Sequence, residues 1–206
     1  MTNAKMPGAA YDNKIYAKFS KNTIDKKAIN KKEFCAEFEL KCDDREFLLG
    51  IVAPLTEKNG GETFENLLNG LEVLPIKIAV RGIGTAKFQK LLADFAEKNP
   101  EKITVVPDDE IGVRKLLAAA DATIFFADGA ENELLARAAR SYAALPIAPK
   151  SFSHLIDDYN PNQESGTGFL FPEKNAWSAF AAIVRALENY RFPYDFKTIQ
   201  KSAIEI

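Results

Sequence analysis

A chain of 206 residues with 47% hydrophobic residues has room for one domain of ordinary size and its own core, and none for a second catalytic domain. Its net charge of −2 and pI near 5.6 point neither to nucleic acid nor to an anionic membrane as partner. The charge is uneven: residues 1–32 hold eight Lys and no Arg against Asp12 and Asp25, a local +6 that leaves −8 on the rest. Such a leader reads as a solvated extension, with a phosphate- or polymer-binding arm as the alternative. Cys35 and Cys42 are too few for a disulfide framework and lack metal-site spacing, so they read as reduced thiols. With no signal-peptide pattern and no apolar run approaching the ~20 residues that cross a bilayer, the expectation is a cytoplasmic protein.

In chain order, residues 1–29 show no sustained periodicity, and NKKEFCAEFEL (30–40) has the spacing of a short amphipathic helix with Phe34, Phe38 and Leu40 inward. FLLGIVA is a continuous apolar run, the mark of a strand covered on both faces. NGGETFENLLNGLEVL predicts a helix on Phe64, Leu67, Leu68 and Leu71; PIKIAV (75–80) a strand; and TAKFQKLLADFAEK a helix on Phe88, Leu91, Leu92 and Phe95. KITVV (102–106), a helix over about 110–119, and DATIFF (121–126) follow, leading into FFADGAENELLARAARSYAALP, a strand that breaks through a polar loop into a helix. LPIAP and GFLF (168–171) are further strands, NAWSAFAAIVRALENY is a helix, and the amphipathic DFKTIQKSAIEI closes the chain. Strands alternating with helices of this length form right-handed crossovers, which gives an α/β fold: a single Rossmann-like, doubly wound parallel sheet of about six strands over residues 30–206.

Ligands in such sheets lie beyond the carboxyl ends of the strands, where helix N-termini offer free N–H groups. That directs attention to residues 53–61, 81–85, 107–110, 127–133, 149–153 and 161–167, which carry few reactive groups. Asn59, Gly60 and Gly61 read either as a backbone cradle for phosphate or as a plain turn. Gly82 and Gly84 supply only G-x-G, because the third glycine of a dinucleotide fingerprint falls at Lys87. Glu131 and Glu133 stand in the first turn of a helix, where carboxylates favour the dipole, and Glu133 has Arg137 four residues on. His154 has no Ser or Cys spaced to make a triad and reads as an ordinary histidine. No metal site is expected.

The order and spacing over about residues 11–206 resemble the carboxyl-terminal half of bacterial glycogen synthases and plant starch synthases, glycosyltransferase family five. Lys27, Asn30 and Lys31 stand at the positions of that family's K-x-x-N-K in the approach to the domain, so residues 1–29 resemble its interdomain linker. GIVAPLTEKNGGE resembles the family's first strand and phosphate loop, S-R-L-T-x-Q-K-G, and VRGIG its G-x-G turn. AADATIFFADGAENELLARAARSYAALP aligns without a gap on A-D-x-x-x-x-P-S-x-x-E-P-x-G-L-x-x-x-x-x-x-x-Y-G-x-x-P, keeping Ala120, Asp121, Leu134, Tyr142 and Pro146, the last three as buried residues. GTGFLF and NAWSAFAAIVRAL resemble the last strand and helix.

The resemblance implies one half of a GT-B enzyme that transfers glucose from ADP-glucose to the 4-hydroxyl of an α-1,4-glucan with retention. In that arrangement the carboxyl-terminal domain holds the nucleotide sugar and the amino-terminal domain supplies much of the acceptor site. The chain ends about where the family begins a segment returning to the amino-terminal domain, so it resembles a solitary half or a piece of a longer gene. Position by position, the chemistry departs from the pattern. The family's phosphate-neutralising Arg falls at Pro54 and its Lys at Asn59, with Lys58 one residue away. Its sugar-facing Glu falls at Ala130, with Glu131 displaced by one, and a Gly is Glu133. The Gly-Gly of the next loop is replaced by KSFSH, with two residues deleted.

The expectation is therefore a catalytically degenerate domain with no cofactor, whose ligand, if kept, is ADP-glucose or ADP. Binding then falls to Asn59, Gly60, Gly61, Gly82, Gly84, Glu131, Asn132, Glu133 and Thr167, with Lys58 and Glu131 as the candidate catalytic groups. Two other readings stand beside it: half of a two-chain glucosyltransferase completed by a separate amino-terminal half and acting on α-glucan, and an interaction module that self-associates through the old interdomain face.

Overall fold

The computed structural model describes residues 6–43 and 45–204; the first five residues of the leader, Asp44 and the last two residues of DFKTIQKSAIEI lie outside it. Six parallel strands form one sheet: β1 (Phe47–Ile51), β2 (Ile76–Arg81), β3 (Ile103–Val106), β4 (Ala122–Ile124), β5 (Leu145–Pro149) and β6 (Phe169–Phe171), in the order β3-β2-β1-β4-β5-β6. The order reverses between β1 and β4, which opens a crevice beyond their carboxyl ends. Phe47 of β1 is in register with Ile76, and Leu49 and Gly50 with Ala122 and Thr123. The strand residues alternate between two cores.

On one face, Leu48, Val52, Ala79 and Ala148 meet α1 (Lys27–Glu37), α4 (Glu110–Ala119) and α5 (Ala130–Ser141). On the other, Leu49, Ile51, Ile78, Val80, Ile124 and Ile147 meet α2 (Gly61–Val73), α3 (Ala86–Lys98), α6 (Ala176–Tyr190) and α7 (Pro193–Ile204). α4 and α6 start on side-chain caps: Asp109 accepts from Gly112 N–H at 2.7 Å and Asn175 from Ser178 N–H at 2.9 Å. Phe64, Leu67, Leu68 and Leu71 are all buried, as their spacing requires.

The leader is not a solvated extension. Ala9, Asp12, Ile15, Phe19, Ile24 and Lys27 are buried, because the segment lies across α4 and α5 and is held by polar anchors. Ala9 N–H donates to Ser141 O, and the Asp12 carboxylate accepts from Tyr142 Oη and Arg114. The K-x-x-N-K residues complete the fastening. Lys27 Nζ donates to Leu117 O at 3.3 Å, Ala118 O at 3.0 Å and Tyr142 O at 2.9 Å, capping the C-terminal ends of α4 and α5 together. Asn30 bonds both the N–H and the carbonyl of Ala17. Lys31 pairs with buried Asp121 at 2.7 Å, and Asp121 also accepts from Leu48 N–H.

Two further expectations are corrected. Cys35 and Cys42 are joined as a disulfide across the end of α1, with Cα atoms 6.0 Å apart, rather than standing as reduced thiols. The chain reverses after Glu37 and brings Cys42 back onto Cys35 in the last turn of α1, a proximity that sequence spacing alone does not reveal. Leu134 is 59% exposed, because α5 turns Leu135 and Ala136 inward in its place; Tyr142 and Pro146 are buried as expected. No helix among the described residues is long and apolar enough to cross a membrane.

Edge strand β6 has its outward groups occupied. Leu170 N–H donates to Asp158 and Leu170 O accepts from Arg185, while Arg185 and Asp158 pair at 3.1 Å.

Candidate functional site

The first loop, residues 52–60, is a run of turns in which the N–H groups of Asn59 and Gly60, and of Gly61 just beyond, bond the chain itself. Asn59 N–H bonds Thr56 O and Oγ1, both at 3.1 Å, Gly60 N–H bonds Glu57 O, and Gly61 N–H bonds Thr56 O at 2.8 Å. Gly82 N–H bonds Val106 O at 2.8 Å, and Leu55 and Thr85 exchange bonds across the loops with Ile83 O and Leu55 O. The glycines themselves serve packing. Gly60 has φ +78°, and a Cβ there would stand 2.4 Å from Phe126 Cβ; one on Gly84 would stand 2.3 Å from Leu55 O. Gly61 lies against the Phe88 ring. Pro54 is buried and Lys58 exposed.

Arg81, passed over in the sequence, ends β2 with its guanidinium on Asp108 at 2.6 Å and on Val52 O at 3.3 Å, tying the loops after β1, β2 and β3 together. Its only sequence signal is a charge at the end of an apolar strand, which marks the carboxyl edge and says nothing of the partner.

The loop after β4 exposes Asp128, Gly129, Ala130 and Glu131. Gly129, at φ +134°, precedes α5 without a side-chain cap, and a Cβ on it would meet nothing within 4 Å. Glu131 is exposed, and Glu133 is half-buried, 3.5 Å from His154 Nε2 rather than paired with Arg137. His154 Nδ1 donates to Ser151 O at 2.9 Å. Asn132 is buried; its amide nitrogen holds Ala127 O at 2.9 Å, so it fixes the loop from below.

The KSFSH segment folds into a 3-10 turn, Lys150–His154, that drops Phe152 into the core against Phe125, with ring centroids 6.2 Å apart. Ser151 Oγ then donates to Asp128, and Lys174, from the loop after β6, pairs with the same carboxylate. Lys174 first, and Ser151 second, hold the Asp128 carboxyl below the usual range. The loops after β4, β5 and β6 are thus knotted by one carboxylate. The sequence points to residues 161–167 as the loop at this end, which leaves Lys174 unmarked. They belong instead to the long return from Leu155 to Gly168, and the loop beyond β6 is 172–175. Thr167 stands just before β6, at the amino-terminal end of the sheet, where it exchanges bonds of 2.9 Å with Asp157.

Asn59, Gly60, Gly61, Gly82 and Gly84 are therefore brought together in the β1 and β2 loops, Glu131, Asn132 and Glu133 gather at the start of α5, and Thr167 stands apart from both. Two concavities, of about 450 and 500 Å³, open beside Tyr190 and Arg45 at the amino-terminal end and beside Arg185 and Lys150 at the β6 edge; neither is lined by residues 53–61 or by α5. Among the described residues no group of three or more His, Cys, Asp or Glu is placed to hold a metal ion.

No family model matches the chain. Glycogen synthase from Fervidobacterium nodosum is 26% identical over 197 residues, covering 94% of this chain and 40% of that protein. Glycogen synthase 1 from Synechocystis is 27% identical, covering 95% and 42%. The chain thus spans about two fifths of the curated relatives it matches. Among solved structures, the catalytic domain of starch synthase IV from Arabidopsis thaliana, bound to ADP and acarbose, superposes with a TM-score of 0.81 at 18% identity, covering 97% of this chain and 43% of that one. The carboxyl-terminal domain of a group 1 glycosyltransferase from Francisella tularensis gives 0.60 at 13% identity, covering 84% of this chain and 90% of that domain.

Proposed function

We propose that this chain, a homologue of bacterial glycogen synthases folded as one GT-B half, is a non-catalytic domain that keeps a weak affinity for a nucleoside diphosphate sugar. One observation carries the reading. At the loop where departing phosphate would be neutralised, the backbone N–H groups of Asn59, Gly60, Gly61 and Gly82 are bonded to the chain's own carbonyls, and Pro54 is buried in place of a cation. Catalysis of sugar transfer needs preorganised donors aimed at the charge that develops on the leaving diphosphate, and losing one such donor costs roughly 10²- to 10³-fold in rate. With several spent at once and no acidic side chain at position 130, little rate enhancement remains.

The expected outcome is saturable binding of ADP or ADP-glucose at millimolar concentration, read from the fluorescence of Trp177, the single Trp of the chain, with no transfer of labelled glucose to maltooligosaccharides. Turnover by the purified chain would sink the non-catalytic reading; absence of any saturable signal both here and in an Asp128→Asn variant would remove nucleotide sugar from it.

The share of the relatives that is matched supports a second reading, in which a separate amino-terminal half completes a glucosyltransferase acting on α-glucan. Lys58 and Glu131, both exposed at the carboxyl end, are then its candidate groups. Labelled glucose transfer by the mixed halves, abolished by Glu131→Ala, supports it; no transfer, or transfer indifferent to that change, removes it.

A further inference from the structure

We propose that Lys174 is a displaceable latch, held by Asp128 across the mouth of the nucleotide site and transferred to the diphosphate of an incoming ligand. The inference rests on the reading above that the ligand carries a diphosphate, and adds how the site is regulated. Three observations carry it. The Asp128 carboxylate accepts from Ser151 and Lys174 at once, so it links the loops that follow β4, β5 and β6. Asp128 lies two residues before the first turn of α5, so an anion approaching that turn meets the carboxylate and its bound cation before it meets the helix. The ground beside them is unfilled, since a Cβ on Gly129 would touch nothing within 4 Å.

The groups themselves are free to move. The Lys174 and Asp128 side chains are about half exposed, so their pairing is a surface ion pair of the kind that contributes little to folding and exchanges readily. While the latch is closed, the ammonium is engaged by Asp128 and the pair offers an incoming phosphate no net positive charge. Once the ammonium moves onto the anion, a charge-assisted hydrogen bond forms there, and its gain is set against the carboxylate left uncovered at Asp128. Lys174 then supplies a cation from the β6 loop, although the β1 loop has Pro54 and Asn59 where cations are expected. No bond is made or broken in this step; the ammonium keeps its proton throughout.

The test compares ADP binding by isothermal titration in the 206-residue chain, its Asp128→Asn, Ser151→Ala and Lys174→Met variants, and the Asp128→Asn/Lys174→Met double variant, each checked for an unchanged thermal transition. Asp128→Asn should bind ADP about tenfold more tightly, Ser151→Ala should gain less, and the double variant should lose most of the gain. Wild-type binding that Asp128→Asn leaves unchanged, or a gain fully retained in the double variant, overturns the latch and leaves the nucleotide reading standing. Binding by Asp128→Asn alone supports the latch and shows the wild type to be self-closed. Binding by neither protein overturns the latch and the nucleotide reading together.

Discussion

A buried lysine side chain is the sharpest feature at the scale of single residues. Burial pushes the Lys27 pKa down to about 7, against the pull of Asp121, with Lys31 adding to the fall. Because the folded value lies below that of the unfolded chain, the unfolded state binds more protons between about pH 7 and pH 10.5. Lys27 therefore contributes stability that is full above the unfolded pKa and is lost as pH falls through the folded one. Urea denaturation from pH 7 to 10 should show a positive stability slope that Lys27→Met reduces, and the variant's loss should be largest at the alkaline end, about 2–4 kcal/mol near pH 10, since three buried carbonyls are left without a donor. Gly60→Ala should cost about 2 kcal/mol or more in ligand-free protein, from its left-handed backbone and the contact with Phe126, whereas a glycine kept only for ligand approach would tolerate the methyl group in urea melts. Sequence could not tell these two uses of glycine apart. Both demand a missing side chain, and only the identity of the neighbour, Phe126 or a phosphate, separates them.

Elements were legible where periodicity reports burial. Parallel strands covered on both faces read as unbroken apolar runs, and β1, β2 and β5 stood out for that reason, as did α2, α3 and α6 from their apolar stripes. The leader was opaque because Asp12, Lys27, Asn30 and Lys31 fasten it as firmly as Ile15 and Phe19, and buried polar anchors leave no periodic trace. The knot of Asp128, Ser151 and Lys174 was invisible for another reason: its members are up to 46 residues apart and meet only once the last crossover is correctly placed. The turn after α1 carries its own prediction. Closing a loop of this length by a disulfide contributes about 2.5 kcal/mol through the unfolded state, so reduction of Cys35–Cys42, or replacement of both by Ala, should lower the urea midpoint correspondingly. A melt unchanged by dithiothreitol, with both thiols titrating beforehand, would show the pair to be open in the purified protein.

For the molecule as a whole, the leader belongs to the core. Removing residues 1–20 uncovers the surface under Ala9, Ile15 and Phe19 and strands Tyr142 and Arg114 without Asp12. At roughly 1.5–3 kcal/mol for each large apolar side chain, the truncated protein should lose several kcal/mol and melt well below the intact one in calorimetry. One margin of the sheet also limits what can be added to it. At β6 a newcomer strand would find Leu170 already bonded to Asp158 and Arg185, two side chains lying where another backbone would lie. Fibril-like growth from that margin has to break charged bonds before it gains neutral ones, which gives the protein a built-in defence against stacking on its own kind there.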